Sequence, residues 1–210
     1  MTRLRFLFVS VVGLLVVGCA IGFVAIGCSS SSNSPMAHWI SAHGGVVTGA
    51  YEDRAEAVAS PLFASCSGQT ITIQVLDLDA PAAYSWPDGH VFVSRGLEDQ
   101  LTNPELAASI AHEMGHLLND GKISTVAALQ GTDAGLMVEV NADATGVKVL
   151  KSNHISPEAM ISMLEKVGDS DSLSAHTHRA LDQRIAILKN EMQSAKEISV
   201  ANCHMDSARD

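Results

Sequence analysis

The stretch TNPELAASIAHEMGHLLND, residues 102–120, predicts the helix around which the rest of the domain is organised. Asn103 is suited to cap this helix, Pro104 to take its first position and Glu105 to lie in its first turn. Apolar residues recur at the spacing of one helix face, namely Leu106, Ile110, Met114 and Leu117. The stretch therefore predicts a helix with one side in a core.

The same helix carries two histidines four residues apart, His112 and His116. Residues at this spacing lie on one face, so both imidazoles can bind one ion. They would fill two of the four positions around a tetrahedral zinc ion. Glu113 follows the first histidine directly and points to one side, which suits a general base acting on a water molecule that zinc activates.

A third ligand is predicted in the segment EVNAD, residues 139–143. Glu139 would complete a set of two histidines and one glutamate and leave the fourth position open, as a catalytic zinc site requires. Asp143 lies one helical turn later and can accept the other ring N–H of a histidine ligand. The pattern predicts one Zn²⁺ per chain, although an acidic pair of this spacing is also common on exposed helices.

Two strands are predicted ahead of the zinc helix. TITIQVLDL, residues 70–78, is rich in β-branched residues and alternates apolar with polar positions. A Pro-Asp-Gly turn then leads into a second strand, His90–Ser94. Other helices are predicted at 35–67 with a break at Pro61, and at 136–150, 157–167 and 178–197. Strands followed by helices predict an α+β domain, mainly helical, with a small antiparallel sheet.

The N-terminus predicts an export signal or membrane anchor, residues 1–27, in which two arginines precede a long apolar run. Cys28 follows a small residue and precedes a polar serine run, so we expect lipid attachment there, with Cys19 or an uncleaved anchor as alternatives. Residues 28–37 form a Ser-rich tether, and 38–210 the catalytic domain. The domain would then lie in the cell envelope, on the periplasmic side of the inner or outer membrane.

Two further cysteines, Cys66 and Cys203, remain in the domain. In an oxidising compartment two leftover cysteines usually pair, so a disulfide is predicted between them, with two buried free thiols as the alternative.

The charge balance is acidic, with 13 Lys and Arg residues against 23 Asp and Glu residues and a formal net charge of −10. A nucleic-acid-binding domain normally presents a basic face. This composition excludes nucleic acid as the expected partner and leaves protein or peptide substrates and a membrane tether.

Several motifs in order resemble one known family. The segment DAPAAYSWPDGHVFVSRGLEDQLTNPELAASIAHEMGHLL, residues 79–118, is similar to the zinc metallopeptidases (gluzincins) of the CAAX prenyl protease and the HtpX heat-shock protease. That family includes envelope lipoproteins. Glu139 and Asp143 match its downstream acidic pair. The resemblance implies a zincin-like fold over roughly residues 70–190.

The resemblance also implies two site residues near the C-terminus, His178 and Arg184. His178 would donate to the developing oxyanion, with His176 as a competing candidate, and Arg184 would brace a helix end or a carboxylate. Arg179 stands where the family usually has proline, and the asparagine common before the Ala-Phe segment is missing. The strand His90–Ser94 would pair with an extended substrate.

The sequence thus predicts a zinc metalloendopeptidase that hydrolyses proteins of the cell envelope in protein quality control. A non-catalytic zinc-binding envelope lipoprotein with a chaperone or structural role is the alternative. An aminopeptidase with the same zinc set is a second alternative, but no site for a free amine is identified.

Overall fold

The computed structural model describes residues 34–66, 68, 70–86, 88–119, 133–169 and 174–206, with side chains of the last helix described as far as Ser194. The predicted leader, both candidate lipidation sites, Cys19 and Cys28, and most of the tether lie outside the described residues. Within the described ranges, no helix is both long and apolar enough to cross a membrane.

The described elements alternate short strands with helices in the first half and are helical in the second half. In chain order they are α1 (Pro35–Ala42), β1 (Val46–Val47), α2 (Ala50–Ala64), β2 (Thr72–Leu76), β3 (Ala83–Trp86), β4 (His90–Ser94), α3 (Arg95–Glu98), α4 (Asn103–Asn119), α5 (Asp133–Ser152), α6 (Glu158–Gly168) and α7 (Ala175–Asp206). The predicted α+β class is confirmed.

The sheet is mixed, so the predicted antiparallel arrangement is wrong. Its strand order is β1-β2-β4-β3, with β2 and β4 parallel and the other two pairs antiparallel. β3 and β4 form a hairpin, and β4, rather than β3, lies beside β2. The second strand of the hairpin therefore runs in the same direction as β2.

The order of strands also corrects the expected role of His90–Ser94. This strand is β4, and it is hydrogen-bonded to β2 on one side and to β3 on the other. Both of its edges are used within the sheet, so it cannot pair with an added peptide. The outer strand on that side of the sheet is β3, Ala83–Trp86, which the sequence patterns did not predict.

The two faces of the sheet pack against different helices, because neighbouring residues of a strand point to opposite faces. The main core joins one face to the helices and includes Val75, Val91, Val93, Leu106, Ile110 and Met114. On the other face Phe92 contacts Trp39 of α1, with ring centroids 5.1 Å apart. The helix α4 is thus buried beneath the sheet, with Ile110 and Met114 fully buried.

The helix α4 begins one residue earlier than predicted, after Thr102, and Glu105 reaches back to Thr102 as in one half of a capping box. The backbone N–H and the hydroxyl of Thr102 both donate to Glu105 Oε2, at 2.8 and 2.7 Å. Glu105 also accepts from Ser162 Oγ and Lys166 Nζ of α6, each at 2.6 Å. Burial opposes its charge, but the Lys166, Ser162 and Thr102 hydrogen bonds lower the pKa of Glu105 to about 2. One carboxylate therefore anchors the start of α4 to α6.

The predicted break at Pro61 is wrong, because α2 continues to Ala64. A proline costs a helix one backbone hydrogen bond and crowds the preceding turn. Here the helix ends three residues after Pro61, and Leu62 is fully buried in the core. Packing of this last turn outweighs the local cost.

Cys66 lies just after α2, is half-buried against the main core and forms no disulfide with any described residue. The side chain of Cys203 lies outside the described part of the chain. The bridge between them stays a prediction.

Candidate metal centre

The site lies where α4 and α5 cross in close contact. A Cβ atom placed on Gly115 of α4 would be 2.3 Å from the carbonyl oxygen of Ala142 in α5. A Cβ atom placed on Gly146 of α5 would be 2.9 Å from the carbonyl oxygen of Ala111 in α4. Both distances are too short for any side chain larger than hydrogen, so the two glycines allow the helix backbones to touch.

Three possible metal ligands converge at this crossing: His112, His116 and Glu139. The two histidine Nε2 atoms are 3.1 Å apart, and Glu139 oxygens lie 3.3 Å from His112 Nε2 and 3.6 Å from His116 Nε2. In a tetrahedral site with zinc–nitrogen bonds of about 2.0–2.1 Å, neighbouring donors stand roughly 3.3–3.4 Å apart. Oε2 of Glu139 is the oxygen near His112 and Oε1 the oxygen near His116, so the carboxylate spans both histidines at distances close to that spacing.

A hydrogen bond fixes which nitrogen of His112 faces this set. Its Nδ1 lies 2.8 Å from Asp143 Oδ1, and an ionised carboxylate can only accept, so Nδ1 carries the proton. In the neutral ring Nε2 then has a free lone pair directed at His116 and Glu139. Asp143 is 1% exposed and holds this orientation from one turn beyond Glu139.

Arg184 of α7 connects the two carboxylates of α5. Its Nε and Nη2 donate to the two oxygens of Asp143, each at 2.7 Å, and its Nη1 lies 3.1 Å from Glu139 Oε2. Nη2 also lies 3.3 Å from His112 Nδ1, but both of these atoms are donors that point at the shared Asp143 oxygen. A planar guanidinium is suited to this paired contact, and a lysine is not. Arg184 is predicted to brace a carboxylate, and in the structure it contacts two of them, Asp143 and Glu139.

The charges around the site favour a cation. Burial alone would raise the pKa values of Glu139 and Asp143, but the His112 hydrogen bond and Arg184 keep both pKa values below their usual ranges. Both carboxylates are therefore ionised. Together with Glu113 they face one guanidinium, so two negative charges remain uncompensated when the imidazoles are neutral. A divalent cation would balance them.

The surroundings of the site shift the pKa values of the two histidines in opposite directions. Burial opposes a charge on His112, but its hydrogen bonds to Asp143 and Glu139 raise its pKa to about 10. Burial and the neighbouring His112 charge lower the pKa of His116. Without a metal ion, the site therefore takes up one proton, and a bound cation would have to displace that proton.

Glu113 lies beside the three ligands but not among them. It is 5% exposed, and its carboxylate has no hydrogen bond or ion pair with any described residue. Its charge acts on His116, on Arg184 and on the phenol of Tyr84 in β3. Burial first, and then this charge, raise the pKa of Tyr84. A carboxylate without a partner next to an open ligand position is free to accept a proton.

The late histidines are not connected to the site in the same way. His178 is half-buried in the first turn of α7 and its side chain has no hydrogen bond or ion pair in the described part of the chain; His176 is exposed. Arg184 alone of this C-terminal group reaches the ligands. The oxyanion role of His178 stays a prediction.

Sequence reasoning missed the contacts that hold α4 against α5. The signal was present as two pairs of small residues four apart, Ala111 with Gly115 and Ala142 with Gly146, which is the spacing of a helix–helix contact. It was missed because glycine inside a helix normally indicates a loss of helix stability, and not a contact with another helix.

Comparison with known proteins agrees with this geometry. Residues 48–138 match the model of peptidase family M48. The metalloprotease LoiP of Escherichia coli (strain K12) is 27% identical over 119 residues, which cover 57% of this chain and 43% of LoiP, so the chain spans less than half of that relative. The family match includes the two histidines and ends one residue before Glu139, so the third ligand and Arg184 rest on the structure. Over residues 48–138, which include the two histidines of α4, the chain is thus similar to peptidase family M48.

Proposed function

We propose that the protein is a zinc-dependent endopeptidase. The observation that carries the proposal is the convergence of two imidazole nitrogens and one carboxylate from two helices. The nearest nitrogen–nitrogen and nitrogen–oxygen distances are 3.1 to 3.6 Å, and beside them lies Glu113, which pairs with no described residue. A structural zinc site usually has a fourth protein ligand. Among the described residues, the cluster contains three ligands, which leaves one position for water or substrate.

The roles of the side chains follow from their positions. His112, His116 and Glu139 would hold the ion, which when bound supplies a Lewis acid that acidifies water and polarises the scissile carbonyl. Glu113 accepts the proton of the attacking water and returns it to the leaving amine. Asp143 keeps His112 in the tautomer that presents Nε2, and Arg184 keeps Asp143 and Glu139 in place.

An extended peptide is the substrate class that the sheet supports. β3 is the outer strand on its side, and it packs against α4, the helix that carries Glu113. A peptide added along β3 would pair with the backbone groups of that edge that no described strand uses, and it would pass close to α4. Such binding needs no chain terminus, which favours an endopeptidase over an aminopeptidase.

The cellular setting proposed for this activity is the cell envelope, with proteins as substrates and quality control as the role. The apolar N-terminal stretch followed by Cys28 and a serine run supports export and tethering to a membrane. The relative LoiP is named a metalloprotease, which supports the reaction type.

The test compares the purified protein with a Glu113→Gln variant. We expect the wild type to bind one zinc ion and to cleave casein, and the variant to bind zinc equally but to lose cleavage, because Gln cannot take the proton. Glu56→Gln, on the exposed side of α2, is the matched control and should behave as the wild type. Cleavage by the Glu113 variant at the wild-type rate would refute the role of the base.

A non-catalytic zinc protein is the alternative, and the same measurements separate it from an enzyme. It would bind zinc with wild-type and variant proteins alike and cleave nothing with either. The position of Glu113 favours the enzyme, because a carboxylate beside the ligands that pairs with no described residue is able to accept a proton from water.

A further inference from the structure

The ligand-bearing helices are joined by a second polar contact that is not part of the metal set. The side-chain amide of Asn119, the last residue of α4, donates to Asn141 O and to Thr145 Oγ1 of α5, each at 3.1 Å. The Thr145 hydroxyl lies 3.4 Å from Asn119 Oδ1 and can return the bond. Asn119 therefore holds a complete turn of α5, from residue 141 to residue 145.

This contact lies on the flank of α5 opposite to the ligands. Each residue advances an α-helix by about 100°, so Ala142 and Gly146 lie between the face with Glu139 and Asp143 and the face with Thr145. Ala142 is the residue that touches Gly115 of α4. The helix α5 thus rests on α4 at its centre and is held on both sides of that point.

The two contacts resist rotation of α5 about its axis in opposite directions. On one side Asp143 is bound to His112, and on the other side Thr145 is bound to Asn119. A rotation of α5 about its axis would move Glu139 towards or away from the two histidines. The distances of 3.3 and 3.6 Å from Glu139 to the histidine nitrogens therefore depend on both contacts.

We propose that Asn119, through Thr145 and the Asn141 carbonyl, is a positioning residue that sets the rotation of α5 and so places Glu139 for metal binding. The proposal rests on the proposed function, because it needs a metal at His112, His116 and Glu139. Asn119 has no hydrogen bond to the metal set or to Glu113, so its effect passes either through α5 to Glu139 or through the last turn of α4 to His116, and only the first route depends on Glu139.

The chain offers a closely matched control for this contact. Asn153, just after α5, also donates its side-chain amide to one hydroxyl and one helix carbonyl, Ser65 Oγ at 3.2 Å and Val149 O at 2.9 Å. Its contact joins α5 to the end of α2, ten residues beyond Asp143. Asn119→Ala and Asn153→Ala therefore remove similar bonds at different distances from the ligands.

The experiment measures the zinc dissociation constant of the full chain in detergent by competition with a chromogenic chelator, and its thermal unfolding in the absence of metal. We expect both alanine variants to lower the unfolding temperature, but only Asn119→Ala to weaken zinc binding, by about tenfold, the lower end of the range for groups that orient ligands. Thr145→Val should reproduce the loss, and Thr145→Ser, which keeps the hydroxyl, should restore wild-type affinity.

A double-mutant comparison tests whether the effect passes through Glu139. In a Glu139→Ala background zinc is held by the histidines alone, so adding Asn119→Ala should change the affinity less than about twofold. An equal loss in both backgrounds, or wild-type zinc affinity in Asn119→Ala and Thr145→Val, would overturn the proposal. Failure of the wild type itself to bind zinc would instead refute the proposed function.

Discussion

Glu98 is a buried carboxylate that makes the stability of the domain depend on pH. It is 1% exposed at the end of α3, and neither of its oxygens accepts a hydrogen bond from any described residue. The nearest cation is Arg54 of α2, 3.7 Å away, but Arg54 donates instead to the carbonyl oxygens of Glu98 and Leu101 and to Asn103 Oδ1. Burial, opposed by Arg54 and reinforced by Asp99, raises the pKa of Glu98 from 4.5 to about 7.

The size of the change in folding stability with pH follows from this pKa. The folded state keeps the Glu98 proton up to about pH 7, whereas the unfolded chain releases it near pH 4.5. The stability contributed by the protonated group is complete below pH 4.5 and is lost as the pH rises through 7. A difference of about 2.5 pKa units corresponds to at most about 3 kcal/mol. Solvent screening and movement of Arg54 towards the ionised carboxylate should reduce the observed change to about 1–2 kcal/mol.

The substitution Glu98→Met removes the charge and keeps a side chain of similar length. We expect the variant to equal the wild type near pH 5 and to be more stable by about 1–2 kcal/mol at pH 8. Urea unfolding at a series of pH values gives both free energies, and their difference cancels the other titrating groups. A difference that stays constant from pH 5 to 8 would contradict the raised pKa of Glu98 in the folded state.

Three other substitutions follow from the packing and the ion pairs. Gly115→Ala should push α5 away from α4, because the new Cβ meets the Ala142 carbonyl oxygen. We expect at least a tenfold loss of zinc affinity and about 1–3 kcal/mol of stability, while Gly168→Ala, which meets only an ordinary contact, should bind zinc as the wild type does. His154→Gly should raise the unfolding free energy by about 0.5–1 kcal/mol, because His154 has a left-handed φ of 58° after the end of α5. Arg184→Lys should lower catalytic activity by about 10–100-fold, because lysine cannot bridge both carboxylates; unchanged activity would show that Arg184 is dispensable.

The ligand helix was predictable because its information is local. The spacing of His112 and His116 puts both on one face whatever surrounds the helix, and the same rule relates Glu139 to Asp143. The α+β class likewise followed from runs of alternating and helical periodicity. The capping signal was also local, and the structure moved it by only one residue, from Asn103 to Thr102.

What depends on distant contacts could be decided only by the tertiary structure. No local pattern tells whether β4 pairs with β2 in parallel, since strand order is set by how the whole sheet packs on α1, α2 and α4. Arg184 contacts Asp143 and Glu139, from which it is separated by at least 41 residues in the chain. The glycines at the crossing of α4 and α5 and the Asn119 contact are equally long-range. The sequence alone determined which side chains can bind a metal, because that is chemistry and helical geometry; the packing of three helices decided that they meet.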